Sequence, residues 1–167
     1  MDPRALRGDL HPAYESVLIV FDPLRTTHAD VQRAAQPAAT SARHGRLHQI
    51  PVTYNGPDLA AVARLHNLSP ERVIELHAGV QYKVAFLGFV PGFAYLTGLP
   101  EAIHTPRLDA PRKEVPAGSV GIAGAQTGIY PLATPGGWQL IGHTSVALFH
   151  PEQSPMSLLQ PGDTVKF

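Results

Sequence analysis

The sequence predicts a mainly β protein: a barrel or sandwich of short strands, preceded by a small α/β piece. From residue 82 onward, apolar residues recur with a period of two in short runs. Turn dipeptides such as Pro91-Gly92 and Pro161-Gly162 separate these runs. Residues 86–144 are also rich in glycine, proline and aromatic residues, without a run of like charge. Such a block is typical of tightly turned β structure whose main chain lies close to a groove.

Composition narrows the class of protein. The chain has 167 residues, of which 44% are hydrophobic and 16% charged, so we expect a folded globular protein. The formal net charge is zero, which gives no field for a phosphate backbone and argues against a nucleic-acid partner. The absence of cysteine excludes disulfides and a thiolate nucleophile. Because the sequence shows no long apolar stretch and no signal-like apolar core, we expect a cytoplasmic protein without a membrane segment.

The amino-terminal region predicts one strand and one helix. Residues 16–21 (SVLIVF) are interpreted as a buried strand that ends at Asp22-Pro23, and Thr26 or Thr27 as the cap of a helix running through Val31 to Ala35. One strand and one helix do not complete a sheet domain. We therefore interpret residues 1–45, with a linker-like stretch at 36–45, as a partial α/β domain and residues 46–167 as a second domain.

The second domain begins with a strand at residues 49–54 and two short helices. The first helix is predicted at 57–66; the second has Ser69 as its N-cap and ends at Gly79. Strands are then predicted at 83–89, 119–123, 129–133, 138–141, 145–149 and 164–167. The helix pair superficially resembles a DNA-reading motif, but Arg72 is nearly alone beside acidic neighbours. We expect the pair to cover one end of the barrel.

Two features of the sequence, spaced glycines and numerous histidines, raise the question of a nucleotide site or a metal site. Residues 118–124 (GSVGIAG) have spaced glycines but lack the lysine and serine or threonine of a phosphate loop, and no helix follows. These glycines could let strands cross at a corner, could expose N–H groups to an anionic or carbonyl oxygen, or could do both. The nine histidines form no metalloprotease pair, so no metal site is expected. We expect His66 and His77 to end helices, where positive charge is favourable.

Strand alternation singles out the segment 138–144. It places Gln139, Ile141 and His143 on one face, opposite Trp138 and Leu140 on the core face. A polar pair beside an apolar side chain suggests a groove or a partner surface. His143 could serve there as a general acid or base near neutral pH. The alternative is a histidine bonded to the backbone at a strand end.

Further candidates lie in the same block. Arg107, Arg112 and Lys113 stand among prolines, where an arginine can hold a carboxylate through two parallel bonds, or where a solvated loop can be balanced by nearby acids. Arg112 is the preferred candidate because it adjoins the glycine-rich turn. Other polar and aromatic contacts are predicted from Gln126 and Tyr130, which flank Gly128, and from Phe93 and Tyr95, which either pack or form an aromatic lip.

Several stretches together resemble one known family. They are GPDLAAVA, LSPERVIELH, FLGFVPGFAYLTGLP, HTPR, VPAGSVGIAGAQTGIYPLATPGGWQLIGHT and LLQPGDTVKF. They are similar to the family that contains the 5-oxoprolinase B subunit, allophanate hydrolase subunit 1 and the KipI kinase inhibitor, and the motifs are closest to those of the 5-oxoprolinase B subunit. The resemblance implies a small α/β domain followed by a cyclophilin-like β barrel. Relative to that family, the first domain is incomplete and the segment VTYNGPDL is short.

The resemblance also implies an activity: ATP-dependent opening of 5-oxo-L-proline to L-glutamate, performed together with the 5-oxoprolinase A subunit and the C subunit, which is also cyclophilin-like. ATP and Mg²⁺ are then expected at the level of the complex, with none bound by this chain alone. A KipI-like kinase inhibitor and a component of allophanate or urea metabolism are the alternatives.

Opening a lactam requires oxyanion donors, an acid–base group and a grip on the carboxylate. We predict His143 and Gln126 as catalytic groups. Arg112, Tyr130, Gly121, Gly124, Gln139, Phe93 and Tyr95 are predicted as substrate-binding groups.

Overall fold

The computed structural model of the chain describes residues 9–12, 16–35 and 45–167. The chain divides into two compact units, Met1–Arg43 and His44–Phe167, which are described separately. Most of the predicted linker at 36–45 lies outside the described residues.

The described part of the first unit contains a two-stranded ribbon and one helix. Strand β1 (Asp9–Pro12) pairs antiparallel with β2 (Val17–Val20), and helix α1 spans His28–Ala34. Thr27 caps α1 through a capping box with Asp30, which confirms the second of the two predicted caps. The strand is confirmed, but its predicted burial is wrong: Val17, Leu18 and Val20 are all more than half exposed. A two-stranded ribbon is too narrow to bury both of its faces.

The second unit contains, in chain order, β3 Leu47–Gln49, α2 Leu59–Leu65, α3 Pro70–Ala78, β4 Gln81–Leu87, β5 Ala94–Thr97, β6 Arg112–Val115, β7 Ser119–Ala123, β8 Gln126–Ile129, β9 Thr134–Gly136, β10 Gln139–His143 and β11 Thr164–Lys166. Seven of these strands form one sheet in the order β10-β7-β8-β5-β4-β11-β3, in which neighbours are antiparallel except for the parallel pair β11 and β3. Strands β6 and β9 form a separate ribbon.

The two edges of this sheet are joined by the segment that follows β3, residues 53–58, which we call the seam. Thr53 and His143 exchange backbone hydrogen bonds of 2.8 Å, and the N–H of Gly56 donates to the Ile141 carbonyl at 3.2 Å. The seam therefore runs from one edge strand, β3, to the outer edge of the other, β10. The mainly β, curled architecture with two short helices beside it is confirmed.

Side chains alternate along each strand, so the sheet has two faces. Both faces are buried. Helices α2 and α3 cover one face, where Val120 and Ile122 of β7 lie in the larger apolar cluster. The other face carries an aromatic cluster that includes Phe93, Tyr130 and Trp138. Two glycines paired across β7 and β8, Gly121 and Gly128, leave room for these rings: a Cβ on Gly128 would lie 3.1 Å from the Phe93 ring and 3.2 Å from the Trp138 ring.

Several predicted elements differ from the observed ones. The strand predicted at 49–54 is found at Leu47–Gln49, and of 129–133 only residue 129 belongs to a strand, β8. Residues 145–149 form no strand, although Leu148 is buried as the alternation predicts. In this part of the chain the structure shows one isolated bridge, between Phe149 and Ser157. Helix α3 begins at Pro70 with Ser69 as its cap, as predicted.

Candidate functional site

A cavity of about 230 Å³ opens on the aromatic face of the second unit. We call it the aromatic pocket. It is lined by Phe89, Phe93, Tyr95, Arg107, Pro111, Tyr130, Pro135, Gly136, Gly137 and Trp138. Strands β5, β8, β9 and β10 and the loops beside them bring these residues together from positions up to about fifty residues apart in the chain.

The floor of the aromatic pocket consists of buried rings that pack against one another. Phe93, Tyr130 and Trp138 are each at most 5% exposed. The Phe93 ring makes edge-to-face contacts with Trp138 and Tyr130, both with ring centres 5.4 Å apart. Such contacts stabilise a cluster beyond the area it buries.

The polar groups of the aromatic pocket are Arg107 and two phenols. Burial raises the pKa of Tyr95, against the opposing charge of Arg107. Burial likewise raises the pKa of Tyr130, against a hydrogen bond from the Trp138 backbone and the charge of Arg107. Both phenols therefore stay protonated at neutral pH and can donate or accept hydrogen bonds, while the guanidinium supplies the positive charge.

Phe89 forms an exposed wall of the aromatic pocket in a strained conformation. Its φ is 69°, in the left-handed region that bulky residues avoid, and the residue is 57% exposed. Its ring still contacts Phe93 edge-to-face, with centres 5.5 Å apart. A tight turn fixes this backbone, since Phe93 N–H donates to Val90 O at 3.0 Å and Gly88 N–H donates to Phe93 O at 3.1 Å.

Three of the predicted substrate-binding residues, Phe93, Tyr95 and Tyr130, meet in this pocket. Arg112 does not line it, because its guanidinium has protein partners. One nitrogen of Arg112 donates to both carboxylate oxygens of Asp58, at 2.6 and 2.8 Å, and the other donates to the Trp138 carbonyl at 3.2 Å. Asp58 is 9% exposed, so this ion pair is largely removed from water. The arginine that lines the pocket is instead Arg107, the second candidate of the same loop.

The structure does not bring the two predicted catalytic residues together. In the register of the sheet, His143 lies opposite Ser119, while Gln126 lies opposite Ala123. These are the two ends of β7, roughly 13 Å apart along the strand. His143 is exposed, and its Nε2 hydrogen-bonds to the Ala117 carbonyl at 3.1 Å, which is the backbone-bonded alternative.

Gln139 is also separated from His143. Its side-chain amide donates to the Pro106 carbonyl at 3.1 Å. Trp138 and Leu140 are buried as the predicted alternation requires, but a register shift between Leu140 and Gly142 breaks the period before His143, and Ile141 is fully buried. The single outward face expected of this strand is therefore not formed.

The two predicted glycine donors are engaged within the protein. Gly121 lies in β7 between two hydrogen-bonded neighbours, β10 and β8, and a Cβ on it would lie 3.2 Å from that of Trp138. The N–H of Gly124 donates to the Thr105 carbonyl at 2.7 Å. Their backbone amides therefore have partners, and of the two interpretations of these glycines the structure shows close packing and a turn.

The described residues do not fit a phosphate cradle or a metal centre. GSVGIAG runs into the buried strand β7, and no helix follows it whose amino terminus could hold phosphates. Within the described ranges, no three His, Cys, Asp or Glu side chains cluster as metal ligands would. His77, expected to carry favourable charge, is fully buried, and burial lowers its pKa to about 3, so it is neutral. None of the described helices has the length and apolarity that a membrane crossing requires.

Sequence reasoning missed Phe89 and Trp138 as pocket residues. Both stood in the singled-out block, and Trp138 is the single tryptophan of the chain. The signal available was the aromatic density of FVPGFAY beside PGGW. What no local pattern shows is that both segments meet on the face opposite the helices.

A family model described as carboxyltransferase domain, subdomain C and D, matches residues 5–159. The chain belongs to this family. Its curated relatives include the 5-oxoprolinase B subunit of Escherichia coli O157:H7, 56% identical over 82% of this chain, and that of Bacillus subtilis, 45% identical over 93%. The resemblance found in the sequence is thereby confirmed. The chain spans 64% of the length of the first relative and 72% of the second.

Solved structures agree on the fold. The crystal structure of TTHA0988 superimposes with a TM-score of 0.87 at 42% identity, covering 99% of this chain and 34% of that one. A conserved protein of Pyrococcus horikoshii, PH0987, gives 0.71 at 47% identity, with 95% of this chain and 76% of that one covered. The Kluyveromyces lactis urea amidolyase gives 0.73 at 20% identity, over 95% of this chain and 12% of that one, which shows the fold alone.

Proposed function

We propose that this chain is the B subunit of an ATP-dependent 5-oxoprolinase, which opens 5-oxo-L-proline to L-glutamate. The observation that carries the proposal is the 45–58% identity to three proteins that bear the name of the 5-oxoprolinase B subunit. In the proposal the A and C subunits complete the enzyme, which works in the cytoplasm. The aromatic pocket supports it, since a small cavity with one cation suits a small ring acid.

The chemistry assigned to this chain is binding, orientation and exclusion of water. A lactam is a poor electrophile, so its opening depends on holding the ring where other groups can act on it. The buried floor of Phe93, Tyr130 and Trp138 excludes water from one side of the ring, and Arg107 fixes its orientation. Because the described residues offer no phosphate cradle, we assign ATP and Mg²⁺ to the partner proteins of the complex.

His143 and Gln126 are given no catalytic role in this proposal. They lie at opposite ends of β7, and neither lines the aromatic pocket. A role for either one would require the groups of a partner protein to complete the site around it.

The proposal is tested by reconstitution. This chain is purified, mixed with candidate A and C subunits, and assayed for glutamate formed from 5-oxo-L-proline with ATP and Mg²⁺. We expect turnover that requires all three components and ceases when this chain is omitted. Turnover that persists without the chain contradicts the proposal. An inactive mixture in which the chain instead inhibits a histidine kinase would favour the KipI-like alternative.

A further inference from the structure

We infer that the aromatic pocket is the site that recognises the substrate acid: Arg107 binds a carboxylate, and Phe89 is the wall over a small flat ring. The identity of the ligand, 5-oxo-L-proline, rests on the proposed function. The assignment of the site rests on the pocket itself, so the two can fail separately.

Arg107 is an exposed cation that lines the aromatic pocket and has no partner among the described residues. Of the arginines in the described ranges, Arg25, Arg33, Arg72 and Arg112 each form an ion pair with a nearby carboxylate, while Arg46, Arg64 and Arg107 form none. Arg107 forms neither an ion pair nor a side-chain hydrogen bond within the described part of the chain, although Asp109 lies two residues away. It lines the pocket, and its charge acts on both Tyr95 and Tyr130. Its place beside an apolar cavity distinguishes Arg107 from Arg46 and Arg64, and a cation at that place favours an anionic ligand.

The aromatic pocket is small. Its volume of about 230 Å³ lies below the usual range for drug-sized ligands. A five-membered ring with one carboxylate fills such a space, while a longer peptide segment would extend out of it. The volume and the single cation therefore favour a small molecule with one negative charge.

The exposed wall of the pocket, Phe89, is strained. Phe89 holds a left-handed φ of 69° while exposing most of its surface, a combination that packing alone does not favour. The ring lies edge-on to both Phe93 and Tyr130, so it stands at the rim of the pocket rather than in its floor. Strain kept at a cavity rim is typical of a residue placed to contact a ligand.

The test uses the full chain and its single tryptophan. Trp138 lines the pocket, so its fluorescence reports a ligand that enters. We expect 5-oxo-L-proline to change this fluorescence saturably at millimolar concentration, and its neutral amide, 5-oxo-L-prolinamide, to bind about tenfold more weakly or worse, because a charge-assisted bond is lost. The R107Q variant should lose this preference for the acid. R64Q, which changes an exposed arginine on helix α2, is the matched control and should bind like the unmodified chain.

A second variant keeps the inference open to contradiction if R107Q folds poorly. F89L should keep the acid preference but weaken binding of both compounds severalfold. In the reconstituted enzyme, R107Q should raise KM for 5-oxo-L-proline about tenfold or more. Equal binding of acid and amide, an R107Q variant that binds like R64Q, or no response of Trp138 at millimolar ligand would each overturn the inference. An inactive complex with acid-selective binding by the chain would instead reject the proposed function alone.

Discussion

At the scale of single residues, the buried His77 shows how a core fixes one proton arrangement. The Thr127 hydroxyl donates to the Gly121 carbonyl at 2.9 Å, so its oxygen accepts from His77 Nε2, 2.9 Å away. Nδ1 therefore carries no proton and accepts from the Tyr54 hydroxyl at 2.7 Å. The ring also stacks on Phe167, with centres 4.7 Å apart. Every polar atom of the imidazole is satisfied only when it is neutral.

The buried, neutral state of His77 predicts that the folded protein loses stability in acid. Burial lowers the pKa of His77 to about 3, while an unfolded histidine titrates near 6.5. Between these values the unfolded chain binds a proton that the folded chain does not. The free energy of unfolding should thus fall by up to about 1.4 kcal/mol per pH unit below pH 6.5.

Urea unfolding measured from pH 7 to pH 4 checks this prediction against a His77→Gln variant, which cannot titrate. The variant should be less stable at pH 7 by roughly 1–3 kcal/mol and should lose less stability on acidification. Parallel pH profiles for the two proteins would show that His77 is not the source.

The two arginines of the proline-rich loop show what a sequence can and cannot assign at this scale. Both Arg107 and Arg112 were candidates for a carboxylate, and local sequence favoured Arg112. Its partner, Asp58, stands 54 residues earlier in the chain, beyond any local pattern. The sequence therefore predicts that an arginine of this loop can bind a carboxylate. Which of the two arginines lacks a protein partner depends on the fold.

At the scale of elements, the ion pair of Asp58 and Arg112 ties the start of α2 to β6 and β10. Asp58 precedes the first residue of α2, and its carboxylate also accepts the Leu140 backbone N–H at 2.6 Å. Arg112 begins β6 and reaches both this carboxylate and the Trp138 carbonyl. One carboxylate thus connects α2, β6 and β10, next to Trp138 of the pocket floor.

Replacing Arg112 by methionine should lower the free energy of unfolding by roughly 2–3 kcal/mol, because Asp58 would be left unpaired. The cost is less than for a fully buried pair, since the Arg112 side chain keeps 27% of its exposure. Lys113→Met, at an exposed neighbour on the same strand, is the control and should change little. In a double-mutant cycle with Asp58→Asn, the combined loss should be smaller than the sum. Strict additivity would mean that the two residues do not act as a pair.

The strands show which features of a secondary-structure element can be predicted from the sequence and which depend on the assembled fold. Strand β7 was predicted with its observed bounds, Ser119–Ala123, because its alternation and its flanking turns agree. Residues 145–149 alternate too, and Leu148 is buried, yet no strand forms there. Periodicity reports which side chains face the core. A strand also needs a free neighbouring edge, and that is a property of the assembled sheet.

At the scale of the second unit, the fold depends on how closely the seam approaches β10. Gly56 donates to the Ile141 carbonyl, and a Cβ at this position would clash with the backbone of Leu140 and Ile141. Gly142 meets the seam from the other side, where a Cβ would lie 2.8 Å from the Thr53 carbonyl oxygen. Two glycines thus allow the backbones to meet where the edges of the sheet are joined.

Replacing Gly56 by alanine should therefore separate the seam from β10. We expect a loss of roughly 2–3 kcal/mol in the free energy of unfolding, because the clash is with backbone that cannot rotate away. Hydrogen exchange at the Thr53 and His143 amides should accelerate, since these two groups pair across the joint. Gly137→Ala is the matched control: its Cβ would meet its nearest neighbours at 3.7 Å, an ordinary contact, and exchange at the seam should stay unchanged. If Gly56→Ala matches this control in both measurements, the seam does not hold the two edges of the sheet together.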